Sequence, residues 1–308
     1  MMDDNLIIND QDLMIKKLKT YGYFDLVHNY KDTFRLLSEK YEISQEDIVN
    51  LREFDIDLQS LIFKYIIQIE NSLKAKISYI MASKFGTSKN EYTNGNNYKN
   101  SFSAEKIFKK IENKKHINFK KYPAKYYIDK YNDLPPWVYL KHLPFGDTKN
   151  IFKQFKVDDK LLIIDELSKS IDKYSDNDKI MFFTNHINII HDFRNSIAHG
   201  NRLLNYVTTK DINKKYYIDF FSASVINRKK FDKYNKRIMC LILSILLMLN
   251  DDSLKVKFIK ELENLIELYL QNTSNHFINI IHDVCSLPLN YKKVFIDALY
   301  DQIDTIYE

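Results

Sequence analysis

Residues Asp57 to Lys84 read DLQSLIFKYIIQIENSLKAKISYIMASK. Leu58, Leu61, Ile62, Tyr65, Ile66, Ile69, Leu73, Ile77, Ile80 and Met81 recur there in steps of three and four. That is the period of an amphipathic helix with one face for a core. Gly86 follows where a C-terminal cap belongs. The rest of the chain agrees with a helical reading. It holds 5 Gly and 5 Pro in 308 residues, whereas average usage would supply roughly 37. Tight-turn sandwiches, collagen-like repeats and glycine-cradled nucleotide sites are disfavoured together. The glycines form neither G-x-G-x-x-G nor G-x-x-x-x-G-K-[ST].

A second long helix is expected to include Lys179 to His199, and a third to cover Lys229 to Leu249. Shorter ones are expected at 9–19, 31–51, 103–114, 158–173, 254–270 and 290–306. Lys215 to Phe221 (KYYIDFF) has weak strand-like alternation and could pair briefly. Seven of the ten chain-breakers fall in 86–146. That segment reads as mostly loop with short helices, inserted in a helical core. The expected organisation is an N-terminal helical region 1–55, a core 56–250 carrying the insertion, and a C-terminal helical region 251–308, forming one compact unit.

The composition excludes other classes. A hydrophobic fraction of 45% is enough for a sizeable core, and a net charge of +5 argues against wholesale disorder. Two cysteines, Cys240 and Cys285, form no disulfide framework and no four-ligand zinc set. The longest apolar run, Ile238 to Leu249, is shorter than the roughly 20 residues of a membrane span and reads as a buried core helix. The acidic start, MMDDNLIIND, is unlike a secretory signal. A soluble cytoplasmic chain with no membrane partner, no cofactor and no metal is the expectation.

Charge is locally concentrated. Residues 99–130 carry ten lysines against three acids, and residues 210–237 carry nine bases against three acids. Tyr122, Tyr126, Tyr127 and Tyr131 interleave with the first cluster; Tyr216 and Tyr217 lie in the second. Basic groups among aromatic rings suit a nucleic acid, with phosphates on the cations and bases on the rings. Lys109, Lys110, Lys114, Lys115, Lys120, Lys121, Lys125, Lys214, Lys215, Lys229 and Lys230 are the candidate RNA contacts. A solvated lysine face is the plainer alternative for either cluster.

The chemistry-bearing run is His191-Asp192-Phe193-Arg194-Asn195-Ser196-Ile197-Ala198-His199-Gly200-Asn201-Arg202. At 100° per residue, His191, Asn195, His199 and Arg202 form a polar stripe about 80° wide. Ile190, Phe193, Ile197 and Leu204 group opposite it, for the core. Arg194 and His199 lie about 140° apart on an ideal helix. The reach of Arg and a helix end at Gly200 could bring both to one phosphate. An imidazole moves a proton near neutral pH, and a guanidinium stabilises charge on phosphate oxygens. RNA supplies its own nucleophile, the 2′-hydroxyl. Arg-x4-His alone is a common string, and a satisfied surface helix is its plain reading. Glu70 and Lys74, at i and i+4, read as a surface ion pair or as a support for Arg194. Trp137, beside Pro135 and Pro136, reads as a structural anchor. The remaining histidines, His28, His116, His142, His186, His276 and His282, are scattered.

The run HDFRNSIAHGNRL resembles the R-x4–6-H motif of HEPN-domain ribonucleases. Three further segments resemble the Abi-like abortive-infection family, the AbiD/AbiF group. They are Tyr21 to Phe34 (YGYFDLVHNYKDTF), Phe63 to Gly86 (FKYIIQIENSLKAKISYIMASKFG), and Leu134 to Phe145 (LPPWVYLKHLPF) followed by Gly146. The second departure from plain chance is their order, which matches the family over most of residues 10–270. The first segment has His28 where Gly is common. This resemblance implies an all-α HEPN-type bundle. It implies a metal-independent endoribonuclease that leaves a 2′,3′-cyclic phosphate and acts as a toxin-type effector in phage defence. It also implies an associated noncoding RNA and kinship with the nuclease halves of RNA-guided CRISPR effectors. Arg194 and His199 would be the catalytic pair and Asn195 a polar support. His191, Arg202, Glu70 and Lys74 are secondary. The chain has no second Arg-x4–6-His. A homodimer would supply two copies of the motif; a monomer completed or held by RNA is the alternative. A noncatalytic RNA-binding module, or a protein-interaction domain with a vestigial site, is the rival function.

Overall fold

The computed structural model describes residues 6–30, 40, 42–114, 119–165, 171, 174–210, 213–273 and 277–303. Lys115, His116, His276 and parts of three expected helices (31–39, 166–173 apart from Ile171, and 304–306) lie outside the described residues. The fold is all-α, as the patterning implies. Among the described residues the strand structure is one two-residue parallel pairing, Leu6–Ile7 against Ile43–Ser44.

The helix that decides the fold spans Gln45–Ile80, twelve residues earlier than its clearest pattern. The reason is a capping box at Ser44-Gln45-Glu46-Asp47. Ser44 N–H donates to Asp47 Oδ2 at 3.0 Å, and Asp47 N–H donates to Ser44 Oγ at 3.2 Å. A short π-helical turn, Met81–Phe85, ends it at Gly86, whose φ is +108°. The expected helix at 31–51 therefore gives its last residues to this long helix.

The chain divides into two compact units. The first draws on Met1–Tyr65, Asp192–Leu246 and Asp251–Glu308. Ile48, Leu51, Phe54, Leu58 and Ile62 of the long helix are buried in it. Helix Asp252–Asn272 packs there through Tyr65 on Phe258, with ring centroids 4.8 Å apart. Glu261 accepts from Lys64 Nζ at 2.7 Å and from Tyr65 OH at 2.9 Å. Phe277–Cys285 and Tyr291–Tyr300 complete the C-terminal part. The apolar run forms helix Ile238–Met248, and every residue from Ile238 to Leu249 is buried. No helix among the described residues is long and apolar enough to cross a membrane.

Two sequence expectations fail in this unit. KYYIDFF is not a strand: Lys214–Phe220 is a helix, started by the Asn213 side chain, which accepts from Lys215 N–H at 3.0 Å. Its buried residues, Tyr216, Tyr217 and Phe220, share a helical face. The expected single helix 229–249 is two, Arg228–Tyr234 and Ile238–Met248. Lys236 between them has φ +64°, which no α-helix accommodates.

The second unit comprises Ile66–His191 and Leu247–Asn250. It contains the segment 86–146, which is more helical than its Gly and Pro suggest. Ser101–Glu112, Ala124–Tyr131 and Pro136–Lys141 are helices, with Pro136 at a first-turn position that needs no N–H. Its core is aromatic. Tyr98 meets Phe85, Phe108 and Phe155 at 5.3–5.4 Å, and Tyr92 OH donates to the Leu134 carbonyl at 2.6 Å. Tyr139 and Leu140 anchor the Pro-Pro segment, while Trp137 is 47% exposed. The tryptophan is thus not the anchor its neighbourhood suggests.

His186 is fully enclosed in this unit, and Phe182 meets its ring edge-on at 4.5 Å. Burial pushes its pKa down to about 3. The unfolded chain takes up this proton near pH 6.5, and the folded chain resists it down to about 3. Stability should therefore fall as pH drops from 6.5 toward 5, by about 1.4 kcal/mol per unit from this residue. Denaturant unfolding of wild type and His186→Leu across that range checks it. The variant should have the shallower slope, and equal slopes would contradict the assignment.

Candidate functional site

The run that carries the candidate chemistry lies on helix Asp176–Ala198 and the turn after it. Gly200 ends the helix. Its φ is +71°, Gly200 N–H donates to the Ile197 carbonyl at 2.9 Å, and Asn201 N–H donates to the Ser196 carbonyl at 3.1 Å. This is a Schellman motif, with the left-handed residue that Gly favours. It makes His199 the C-cap, one residue past the helix, with its side chain in solvent. The core face is Ile189, Ile190, Phe193 and Ser196; Ile197 is half-buried rather than part of it. The Schellman turn takes Leu203 and Leu204 into the interior instead.

Arg194 is half-buried, and its guanidinium lies over the Phe63 ring at 5.8 Å from the centroid. Asn195 is half-buried one position on. Arg202 lies over Tyr30, with its guanidinium carbon 4.8 Å from the ring centroid. Such stacking fixes the plane of a guanidinium while leaving its N–H edge available for hydrogen bonds.

Asp55, which the sequence reading does not single out, sets the position of this turn. It is wholly buried. Its Oδ1 accepts from Leu203 N–H at 2.9 Å and Leu204 N–H at 3.2 Å, and its Oδ2 accepts from Tyr30 OH at 2.8 Å. Arg52 Nη1 stands 3.7 Å away. Burial pushes the Asp55 carboxyl up, against the pull of these donors. Asp192 ties down the next stretch: its Oδ2 accepts from Tyr206 OH at 2.9 Å and Thr208 Oγ1 at 2.5 Å. Burial and the Asp192 charge hold the Tyr206 hydroxyl near 12. The sequence signal for both is an Asp among apolar neighbours, which by itself names no partner.

The result is a cleft of about 650 Å³ lined by Phe24, Asp25, His199, Gly200, Asn201, Arg202, Asn205, Tyr206 and Val207. The structure thus brings His199 and Arg202 to one concavity. In the other unit His191 is engaged by its neighbours. Its Nδ1 is 3.1 Å from Lys149 Nζ, and Phe145 meets its ring edge-on at 5.6 Å. A Cβ at Gly146 would stand 3.0 Å from His191 Nε2, so the Phe-Gly pair closes tightly on the imidazole. Glu70 and Lys74 form their ion pair at 2.6 Å, with side chains only 6% and 13% exposed. It is a buried pair, not the surface pair its spacing suggests.

Of the candidate RNA contacts, Lys109, Lys110, Lys120, Lys121, Lys125, Lys215 and Lys229 are exposed. Lys114 is half-buried and bonded to Asp147 at 2.5 Å; Lys125 pairs with Asp129. Lys214 lies 3.6 Å from Asp232, and Lys230 donates to the Ser224 carbonyl. No group of three or more His, Cys, Asp or Glu among the described residues could hold a metal ion.

Removing Asp55 should expose its role. Asp55→Ala leaves two backbone N–H groups, a tyrosine hydroxyl and Arg52 without their acceptor, at a cost of about 3–5 kcal/mol. Asp55→Asn keeps one acceptor oxygen and should cost about half as much. The denaturation midpoint and amide exchange at Leu203 and Leu204 check this. Unchanged exchange at both amides in Asp55→Ala would contradict the placement.

No curated protein and no solved structure matches the chain. A family model described as Abi-like protein matches residues 16–205. The match enters in helix Gln11–Tyr21 and ends at Asn205 in the cleft, so it contains the long helix and the Arg194–His199 turn. Covering more than half of the sequence, it shows that the chain belongs to the Abi-like protein family.

Proposed function

We propose that this chain is a metal-independent HEPN endoribonuclease and the toxin-type effector of an abortive-infection system. Family membership supports a role related to abortive infection. The observation that carries the finer reading is His199 at a Schellman helix end, solvent-exposed on the wall of a polar cleft, five residues after Arg194.

In the proposed reaction an imidazole takes the proton of an RNA 2′-hydroxyl. The 2′-oxygen bonds to the adjacent phosphorus and the P–O5′ bond breaks. A second imidazole returns a proton to O5′, leaving a 2′,3′-cyclic phosphate. The Arg194 guanidinium balances charge on the non-bridging oxygens. Asn195 supports the pair. With one motif per chain, a homodimer supplies the second histidine; a noncoding RNA that completes or restrains a monomer is the alternative. His191 and Arg202 flank the stripe, and Glu70 with Lys74 is assigned only a supporting part. Lys109, Lys110, Lys120, Lys121, Lys215 and Lys229 would meet the phosphate backbone, as would Lys125 where a phosphate displaces Asp129. Lys114, Lys214 and Lys230, committed to local oxygens, would contribute less.

The rival reading, a noncatalytic RNA-binding or protein-interaction module with a vestigial site, has no need of both Arg194 and His199. Expression in cells separates the readings. Wild type should slow growth and fragment RNA; Arg194→Ala and His199→Ala should lower cleavage by about 10²–10⁴-fold and restore growth. Equal growth and equally intact RNA in all three would overturn the nuclease.

A further inference from the structure

The cleft beside His199 has a wall that the phosphate chemistry leaves unexplained. Phe24, on the short helix Tyr23–Leu26, lines it with 62% of its surface in solvent. On that wall the ring offers a flat apolar face to a ligand in the cleft. The ring is not loose. His28 stacks on it with centroids 4.8 Å apart and planes 22° from parallel. Around the same cleft stand the amides of Asn201 and Asn205, the carboxylate of Asp25, and Arg202 on its Tyr30 platform.

This set does not match a phosphate. A phosphate site gathers cations and N–H donors, whereas this wall carries a carboxylate and an apolar face. It matches an unpaired nucleobase, which offers a flat π-face and an edge of mixed donors and acceptors. An aromatic ring takes the face; Asn and Asp side chains take the edge. The cleft of about 650 Å³ has room for a base with its sugar.

We propose that Phe24, backed by His28, stacks the unpaired base next to the bond cut at His199, and that Asn201, Asn205 and Asp25 meet its hydrogen-bonding edge. The subsite rests on the nuclease reading for the neighbouring phosphate, but not for base binding itself. It makes the preferred substrate a single strand, since pairing and stacking in a duplex cover a base's faces and its Watson–Crick edge.

The test is equilibrium binding by the full chain of a trinucleotide with 2′-fluoro sugars, which cannot be cleaved through a 2′-hydroxyl. Its partner probe is the same trinucleotide with an abasic middle position. Phe24→Ala should weaken binding of the first at least about tenfold and leave the second unchanged. Phe24→Trp should retain both. Phe24 is exposed, so an unchanged unfolding midpoint certifies each variant. Equal affinity of wild type and Phe24→Ala, or equal losses for both probes, would overturn the subsite. The two proposals fail separately. Cleavage that is absent from wild type, or that survives His199→Ala, with Phe24-dependent binding intact, removes the His199 nuclease and keeps the subsite. His199-dependent cleavage with Phe24-independent binding does the reverse.

Discussion

The carboxylate of Asp55 holds the candidate site in shape. It is wholly buried, and three of its hydrogen bonds reach outside its own helix. Two go to the backbone of Leu203 and Leu204, directly after the Arg194–His199 turn. One goes to Tyr30, on which Arg202 stacks. A chain leaving a helix at a left-handed glycine can go many ways; here the N–H groups of the next turn are claimed by one acceptor. Asp192 repeats the device a few residues on, through Tyr206 and Thr208. The cleft wall from His199 to Val207 is therefore held by two buried or half-buried aspartates, while Leu203 and Leu204 within that stretch turn into the core.

Much of this architecture is legible in the sequence, for local reasons. The three-and-four spacing from Leu58 to Met81 reports a helix because burial on one face imposes that period. Gly200 reports the helix end because its position needs φ +71°, which other residues resist. The helix start at Ser44 is local too, a reciprocal cap with Asp47, but the apolar pattern, clear only from Asp57, does not point to it. The Abi-like segments are legible as well, and their match spans residues 16–205.

What escapes the sequence is long-range. Nothing local says that Asp55 meets residues 203 and 204, about 150 positions away, or that Phe24 lines the same cleft as His199. KYYIDFF carries β-forming residues, yet Asn213 caps it into a helix whose aromatic face is buried. The break at Lys236 falls in a run with no Gly or Pro to announce it. The division into two units that interleave along the chain follows contacts, and no composition shift marks it. The Phe145-Gly146 pair gains a physical reason only in three dimensions, where a Cβ at Gly146 would press on the His191 ring at 3.0 Å.

In the proposed phosphoryl transfer RNA attacks itself and His199 moves the proton. The product's 3′ end records that event more directly than growth does. Purified full chain should be given a defined single-stranded RNA in excess EDTA, and the fragments weighed by mass spectrometry. The expected products are 5′ fragments ending in a 2′,3′-cyclic phosphate and 3′ fragments beginning with a 5′-hydroxyl, both absent with His199→Ala. Fragments with a 3′-hydroxyl and a 5′-phosphate, or the cyclic product formed equally by His199→Ala, would contradict it.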